Sequence, residues 1–126
     1  MRARLISFNT AKLAKDRGFD IKCYNWYRDT DEKLYGRDGK SGGLIPPVSQ
    51  GINRYLAPTQ ALLQKWLREE HHIHVNADID HTMMWIWSIC PLDPSSDLTK
   101  TIVSKEVFNS YEEALEQGLR KTLQQI

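Results

Sequence analysis

The chain predicts an α+β fold: one small, mainly antiparallel sheet of two to four strands, with three helices packed mostly on one face. Three observations carry this expectation. Apolar residues recur at helical spacing around residues 58–71 and 110–125, and between these stretches the period drops to 2 at residue 73. Two strand-like runs, 73–79 and 83–90, are separated by a short polar turn, the pattern of a β-hairpin. The chain has 126 residues, 40% of them apolar. A chain of this length buries about two-thirds of its unfolded surface, enough for one core and cramped for two. A single globular domain over residues 1–126 is therefore expected.

The first helix is expected at about residues 7–17. Ser7 is placed to cap it, and Phe8, Ala11 and Ala14 repeat on one side. Gly18 stands where a left-handed residue ends a helix, and Phe19 follows as the apolar residue that folds back on Ala14. Residues 19–56 are harder to read. A strand fits residues 21–28, and the Gly- and Pro-rich stretch 36–50 (GRDGKSGGLIPPVSQ) reads as a mobile loop.

The second helix, about 58–71, begins either with Pro58 as its first residue or with Thr59 as its N-cap. Leu62, Leu63, Trp66 and Leu67 then share one face. Beyond it Ile73, Val75, Ala77 and Ile79 alternate with His74, Asn76, Asp78 and Asp80, a half-buried strand. Residues 78–82 turn, and MMWIWSIC (83–90) runs back until Pro91 breaks it. This second strand is apolar on both sides, so it belongs in the middle of a sheet or under cover on each face. Residues 91–96 read as a loop, and a third strand is expected around 101–104. The last helix, about 110–125, opens on Ser110 and Glu113, a capping box, and carries Tyr111, Ala114, Leu115, Gly118, Leu119, Leu123 and Ile126 on one face.

Several function classes are poorly supported. The mean hydropathy is −0.54 and no run of about 18 apolar residues exists, so no membrane span is expected. No apolar stretch follows the arginines at the amino end, so no signal peptide is read and a cytoplasmic location is expected. The net charge of +1 argues against a protein that neutralises many phosphates. It is unevenly spread, however: residues 1–40 hold ten Lys/Arg and six Asp/Glu, 41–80 three and four, and 81–126 four and six. The thirds carry +4, −1 and −2.

His71, His72, His74 and His81 lie close to Asp78 and Asp80, residue types that hold metals. Of these His72, His74 and His81 are the candidate ligands, His72 and His74 because they would share a strand face. Their spacing fits no zinc signature, and no metal or other cofactor is expected. Cys23 and Cys90 stand apart from any base. Gly39-Lys40-Ser41 resembles the end of a phosphate-binding loop, but the glycine five positions earlier is replaced by Leu34 and Pro46-Pro47 follow instead of a helix. No catalytic set is found, so the chain is not expected to be an enzyme.

Aromatic residues give the better functional hint. Tyr24, Trp26, Tyr27 and Tyr35 are interleaved with Lys22, Arg28, Lys33 and Arg37, a mixture that suits stacking on single-stranded nucleic acid. Trp85 and Trp87 share a strand face, which is core if covered and a partner surface if open.

The stretch 57–73 (APTQALLQKWLREEHHI), together with 7–19 (SFNTAKLAKDRGF) and 111–123 (YEEALEQGLRKTL), resembles small uncharacterised proteins of phages, prophages and mobile elements in Bacteroidetes. The string APTQ-x-LLQKWLRE carries most of the resemblance. It implies a prophage or mobile-element origin and brings no activity or site residues with it. The expectation is thus a non-enzymatic protein-interaction module of such an element, binding a protein partner or itself. Its candidate surface is Tyr24, Trp26, Tyr27, Arg28, Tyr35, Trp85 and Trp87. The alternative is nucleic-acid binding through residues 22–37.

Overall fold

A computed structural model describes residues 4–96 and 98–126. Its elements are α1 (Phe8–Asp16), β1 (Asn25–Arg28), β2 (Leu34–Gly36), β3 (Arg54–Leu56), α2 (Gln60–His71), β4 (Ile73–Ile79), β5 (Trp85–Pro91), β6 (Ile102–Val103) and α3 (Tyr111–Gln125). The α+β class stands, but the described strands form two antiparallel sheets of three instead of one: β2-β1-β3 and β4-β5-β6. The chain divides into two compact units, one ending at Thr59 and one beginning at Gln60. The charge divides with them. Residues 1–59 hold eleven Lys/Arg against six Asp/Glu, a net +5, and residues 60–126 hold six against ten, a net −4.

In the first unit α1 starts and stops as its residues dictate. The Ser7 hydroxyl accepts the Thr10 N–H at 3.4 Å. At the other end Gly18 takes a φ of +91°. Its N–H bonds the Lys15 carbonyl and the Phe19 N–H the Ala14 carbonyl, both at 3.0 Å, which is the Schellman arrangement with a buried Phe19 as its apolar lock. Helix α1 packs on this unit's sheet, so it does not share a sheet face with the other two helices. The unit is closed by its own ends, because the Ile6 N–H bonds the Pro58 carbonyl at 3.0 Å and Leu5 bridges Thr59.

The segment 37–50 carries no helix or strand, yet it is fastened at several points. The Asp38 N–H bonds the Asn25 side-chain oxygen at 2.7 Å, the Lys40 N–H bonds the Leu34 carbonyl at 2.9 Å, and Val48 and Cys23 exchange both backbone bonds at 2.8 and 3.1 Å. Two glycines allow the backbone to approach closely at the end of β2 and just beyond it. A Cβ on Gly36, whose φ is +101°, would meet the Tyr24 carbonyl oxygen at 2.1 Å, and one on Gly39 would meet the Leu34 carbonyl oxygen at 2.4 Å.

In the second unit, helix α2 begins at Gln60, so Pro58 is not helical and Thr59 is the residue before the first turn. Its buried side chains are Gln60, Leu63, Trp66 and Leu67. Gln60 is polar and buried because its amide nitrogen donates to the Glu112 carbonyl and to a Glu116 carboxylate oxygen, each at 3.0 Å, which joins α2 to α3. The hairpin pairs β4 with β5 from Ile73 opposite Pro91 to Ile79 opposite Trp85. Pro91 therefore ends the strand from inside it, paired at the sheet's extremity. Asp80 ties the turn, accepting from the Thr82 N–H and hydroxyl at 2.8 and 2.6 Å and from the Met84 N–H at 3.2 Å. As expected of a strand apolar on both sides, β5 is central, with β6 on its other edge.

Helix α3 is capped by Ser110, whose hydroxyl accepts the Glu113 N–H at 3.1 Å. Its inner face buries Ala114, Leu115, Leu119 and Leu123 against Val75 and Ile89 of the sheet. Each of the fully buried leucine, valine and isoleucine side chains contributes about 1.5–3 kcal/mol. Gly118 is the point of closest approach: a Cβ there would lie 2.9 Å from the Trp87 Cβ and 3.0 Å from a Val75 methyl. No described helix is long and apolar enough to cross a membrane.

Candidate functional site

The short sheet of the first unit sorts its side chains by face. The register places Tyr27 opposite Leu34 and Tyr55, and Trp26 opposite Tyr35 and Leu56. Tyr27 and Tyr55 turn toward α1, where both meet the edge of the Phe8 ring, at centroid distances of 5.8 and 5.5 Å. The Tyr27 hydroxyl donates to the Ile6 carbonyl at 2.6 Å, and Lys15 lies 5.1 Å over the Tyr55 ring while donating to the Gly51 carbonyl at 2.8 Å. Tyr27 is thus a packing residue and leaves the candidate surface.

Trp26 and Tyr35 occupy the face turned away from α1, both half-buried. Their rings stack with an interplanar angle of 20° and centroids 6.2 Å apart. A guanidinium covers each: the Arg28 Cζ lies 4.6 Å from the Tyr35 centroid and the Arg54 Cζ 5.5 Å from the Trp26 centroid. Each ring of the stacked pair thus has a guanidinium within cation–π distance. Next to it the Arg37 guanidinium lies 3.5 Å from the centroid of Tyr24, whose carbonyl accepts the Arg37 N–H at 3.2 Å. Three of the aromatic residues expected from sequence therefore each have an arginine over the ring, Trp26 and Tyr35 on one face of the sheet and Tyr24 just before β1. Cation–π contacts at exposed sites contribute about 0.5–1 kcal/mol each, so the rings are held without being locked.

Asp31 organises the hairpin end of this face. Its carboxylate accepts from the Arg28 guanidinium at 2.5 Å, the Tyr35 hydroxyl at 2.6 Å and the Lys33 N–H at 3.1 Å. These bonds, from Arg28 first and Tyr35 second, hold the Asp31 carboxyl well below the usual carboxylate range, and the same hydrogen bond raises the Tyr35 phenol. Lys33 and Lys40 sit together, and Lys33, by hydrogen bonding and by charge, lowers the Lys40 ammonium.

The remaining candidates are dispersed. In the second unit Trp85 and Trp87 lie on the sheet face covered by α3. Trp85 meets the edge of the Tyr111 ring at 5.6 Å, and Trp87 lies under Gly118. They are half-buried packing residues on a helix-covered face. His72 has a φ of +56°, which takes it off the strand and breaks the alternation that would have aligned it with His74; its ring faces Asp93 at 3.5 Å. His81 is exposed in the turn. Among the described residues no group of three His, Cys, Asp or Glu is placed to hold a metal ion. Cys23 is buried, and that burial pushes its thiol up to about 12, the opposite of what a nucleophile needs.

Arg54 is the site residue that the sequence reading missed. It lies 26 positions beyond Arg28, and only the pairing of β1 with β3 sets the two opposite each other. No family model matches the chain, and no curated protein or solved structure matches it.

Proposed function

We propose that the chain is a single-stranded nucleic-acid-binding accessory protein of a phage-like or mobile element, acting in the cytoplasm through residues 22–37 with Arg54. The observation that carries this reading is the set Tyr24, Trp26 and Tyr35, each with an arginine over its ring. A nucleobase offers a ring the same flat contact as a guanidinium. A base that takes the guanidinium's place frees that arginine for the adjacent phosphate, so one exchange makes both a stacking contact and a charge contact. Only unpaired bases present their faces this way, hence a single strand. The +5 of residues 1–59 supplies the long-range attraction that the whole-chain charge of +1 conceals. The mobile-element assignment rests on the resemblance of residues 57–73.

Base–aromatic stacking is worth about 1–3 kcal/mol per base, so Trp26→Ala is expected to weaken binding to an oligothymidylate by roughly tenfold. Fluorescence anisotropy with labelled oligonucleotides tests this, and a chain that binds no single strand at low salt rejects the reading.

One observation favours a second reading, a protein-interaction module. Apolar side chains are exposed in the second unit: Ile79 at 42% and Met83 at 75% at the hairpin end, and Val103 and Val107 at about half. Such a surface suits a protein partner or a second copy. Light scattering decides the self-association part of it, a monomer at all concentrations excluding the second copy.

A further inference from the structure

The second unit contains a groove of about 160 Å³, and nothing in the proposed function uses it. Along α3 the groove is lined by Gln117, Arg120, Lys121 and Gln124, which share a stripe of the helix, and elsewhere by Glu106, Phe108 and Trp87. Its chemistry differs from its surroundings. The unit carries −4, yet the groove holds two cations against one acid. Among the described residues neither Arg120 nor Lys121 forms an ion pair, and the Arg120 Nε is buried with no hydrogen-bond partner. Buried donors are nearly always bonded, so an Nε left this way on a half-buried arginine is out of the ordinary for a packing residue.

We infer that this groove is a binding site for a small planar aromatic monocarboxylate, of the size of benzoate. The volume fits, since a cavity of about 150 Å³ takes a benzene ring. Trp87 and Phe108 offer aromatic surface to a ring, while Arg120 and Lys121 line the same groove as donors for a carboxylate. Glu106 leaves a net charge of one, which favours a monoanion over a dianion.

The test is an NMR titration of the full chain with benzoate, observing the indole N–H groups of the four tryptophans and the amides of α3. Benzoate is expected to shift the Trp87 indole and the 117–121 amides saturably, with a millimolar dissociation constant, and to leave Trp26 unmoved. The neutral isostere benzamide is expected to bind at least about tenfold more weakly, as is benzoate to Arg120→Gln. The exposed Lys121→Gln serves as a second variant if Arg120→Gln loses its fold, and it is expected to weaken binding several-fold. No saturable shift up to about 20 mM benzoate, equal affinity for benzamide, or unchanged affinity in both variants overturns the inference.

Discussion

Replacing Gly118 by alanine is expected to destabilise the second unit, although alanine is the better helix former. Two effects oppose each other. Alanine in a helix interior gains about 1 kcal/mol over glycine. Against this, the new methyl would stand 2.9 Å from the Trp87 Cβ, 3.0 Å from the Val75 Cγ1 and 3.3 Å from the Trp87 Cγ. These neighbours sit at the roots of side chains on the paired strands β5 and β4, so they cannot swing aside as the tip of a lysine would. Helix α3 must lift instead, loosening Leu115, Leu119 and Leu123 together. Overpacking of this kind costs about 1–3 kcal/mol, which leaves a net loss of about 1 kcal/mol. With a urea dependence of about 2 kcal/mol per molar, the unfolding midpoint should fall by about 0.5 M. Urea denaturation followed by circular dichroism measures it, with the exposed Gln124→Ala as a control expected to shift little. A midpoint that rises in Gly118→Ala would mean that α3 is not seated on Trp87 as described.

Gly36→Ala should be more severe, since its φ of +101° and the Tyr24 carbonyl oxygen 2.1 Å away leave no room for a methyl; loss of the dispersed tyrosine and indole resonances of residues 24–35 is the expected sign. Native Cys23 should resist iodoacetamide at pH 8 and react only after unfolding, which peptide mass spectrometry resolves. Because its thiol is raised to about 12, the stability it contributes is present below its ordinary value near 9 and is lost as the pH climbs between the two, so Cys23→Ala should soften the alkaline transition. Asp31 has the opposite sign. Its carboxyl is depressed, so its contribution is present above the ordinary carboxylate value of about 4 and is lost only as the pH falls below it. Carboxyl NMR should find Asp31 still ionised at about pH 3, and an ordinary titration would contradict the bonds from Arg28 and Tyr35.

What could be read from the sequence was local. Ser7, Gly18 and Ser110 mark helix ends because caps are settled by one or two neighbouring residues, and the alternation of residues 73–79 marks a strand because one of its faces is buried. The strands of 19–56 were obscure for the converse reason. They have three or four residues each, and β1 meets β3 across a long intervening segment, Trp26 opposite Leu56. Their turns also use left-handed residues with side chains, Glu32 at a φ of +56° and Asn53 at +63°, where glycine would have advertised the position.

The site was legible to the same degree. Tyr24, Trp26, Arg28 and Tyr35 were recognisable from composition, but Tyr27, one position along the strand, points to the opposite face, and Arg54 enters through a pairing that no local pattern announces. For Trp85 and Trp87 the sequence left core and partner surface both open. Alternating aromatic residues look alike whether a helix covers them or not, and here α3 does.

The central claim is that the arginine-covered rings exchange guanidinium for nucleobase. The most direct measurement is the affinity of a labelled oligothymidylate across a salt series, for the native chain and for Trp26→Ala and Tyr35→Ala. If three guanidiniums move to phosphates, the logarithm of the association constant should fall with the logarithm of salt with a slope of about −2, and each variant should weaken binding by roughly tenfold. Absence of binding at low salt, or binding that the two variants leave unchanged, would contradict it.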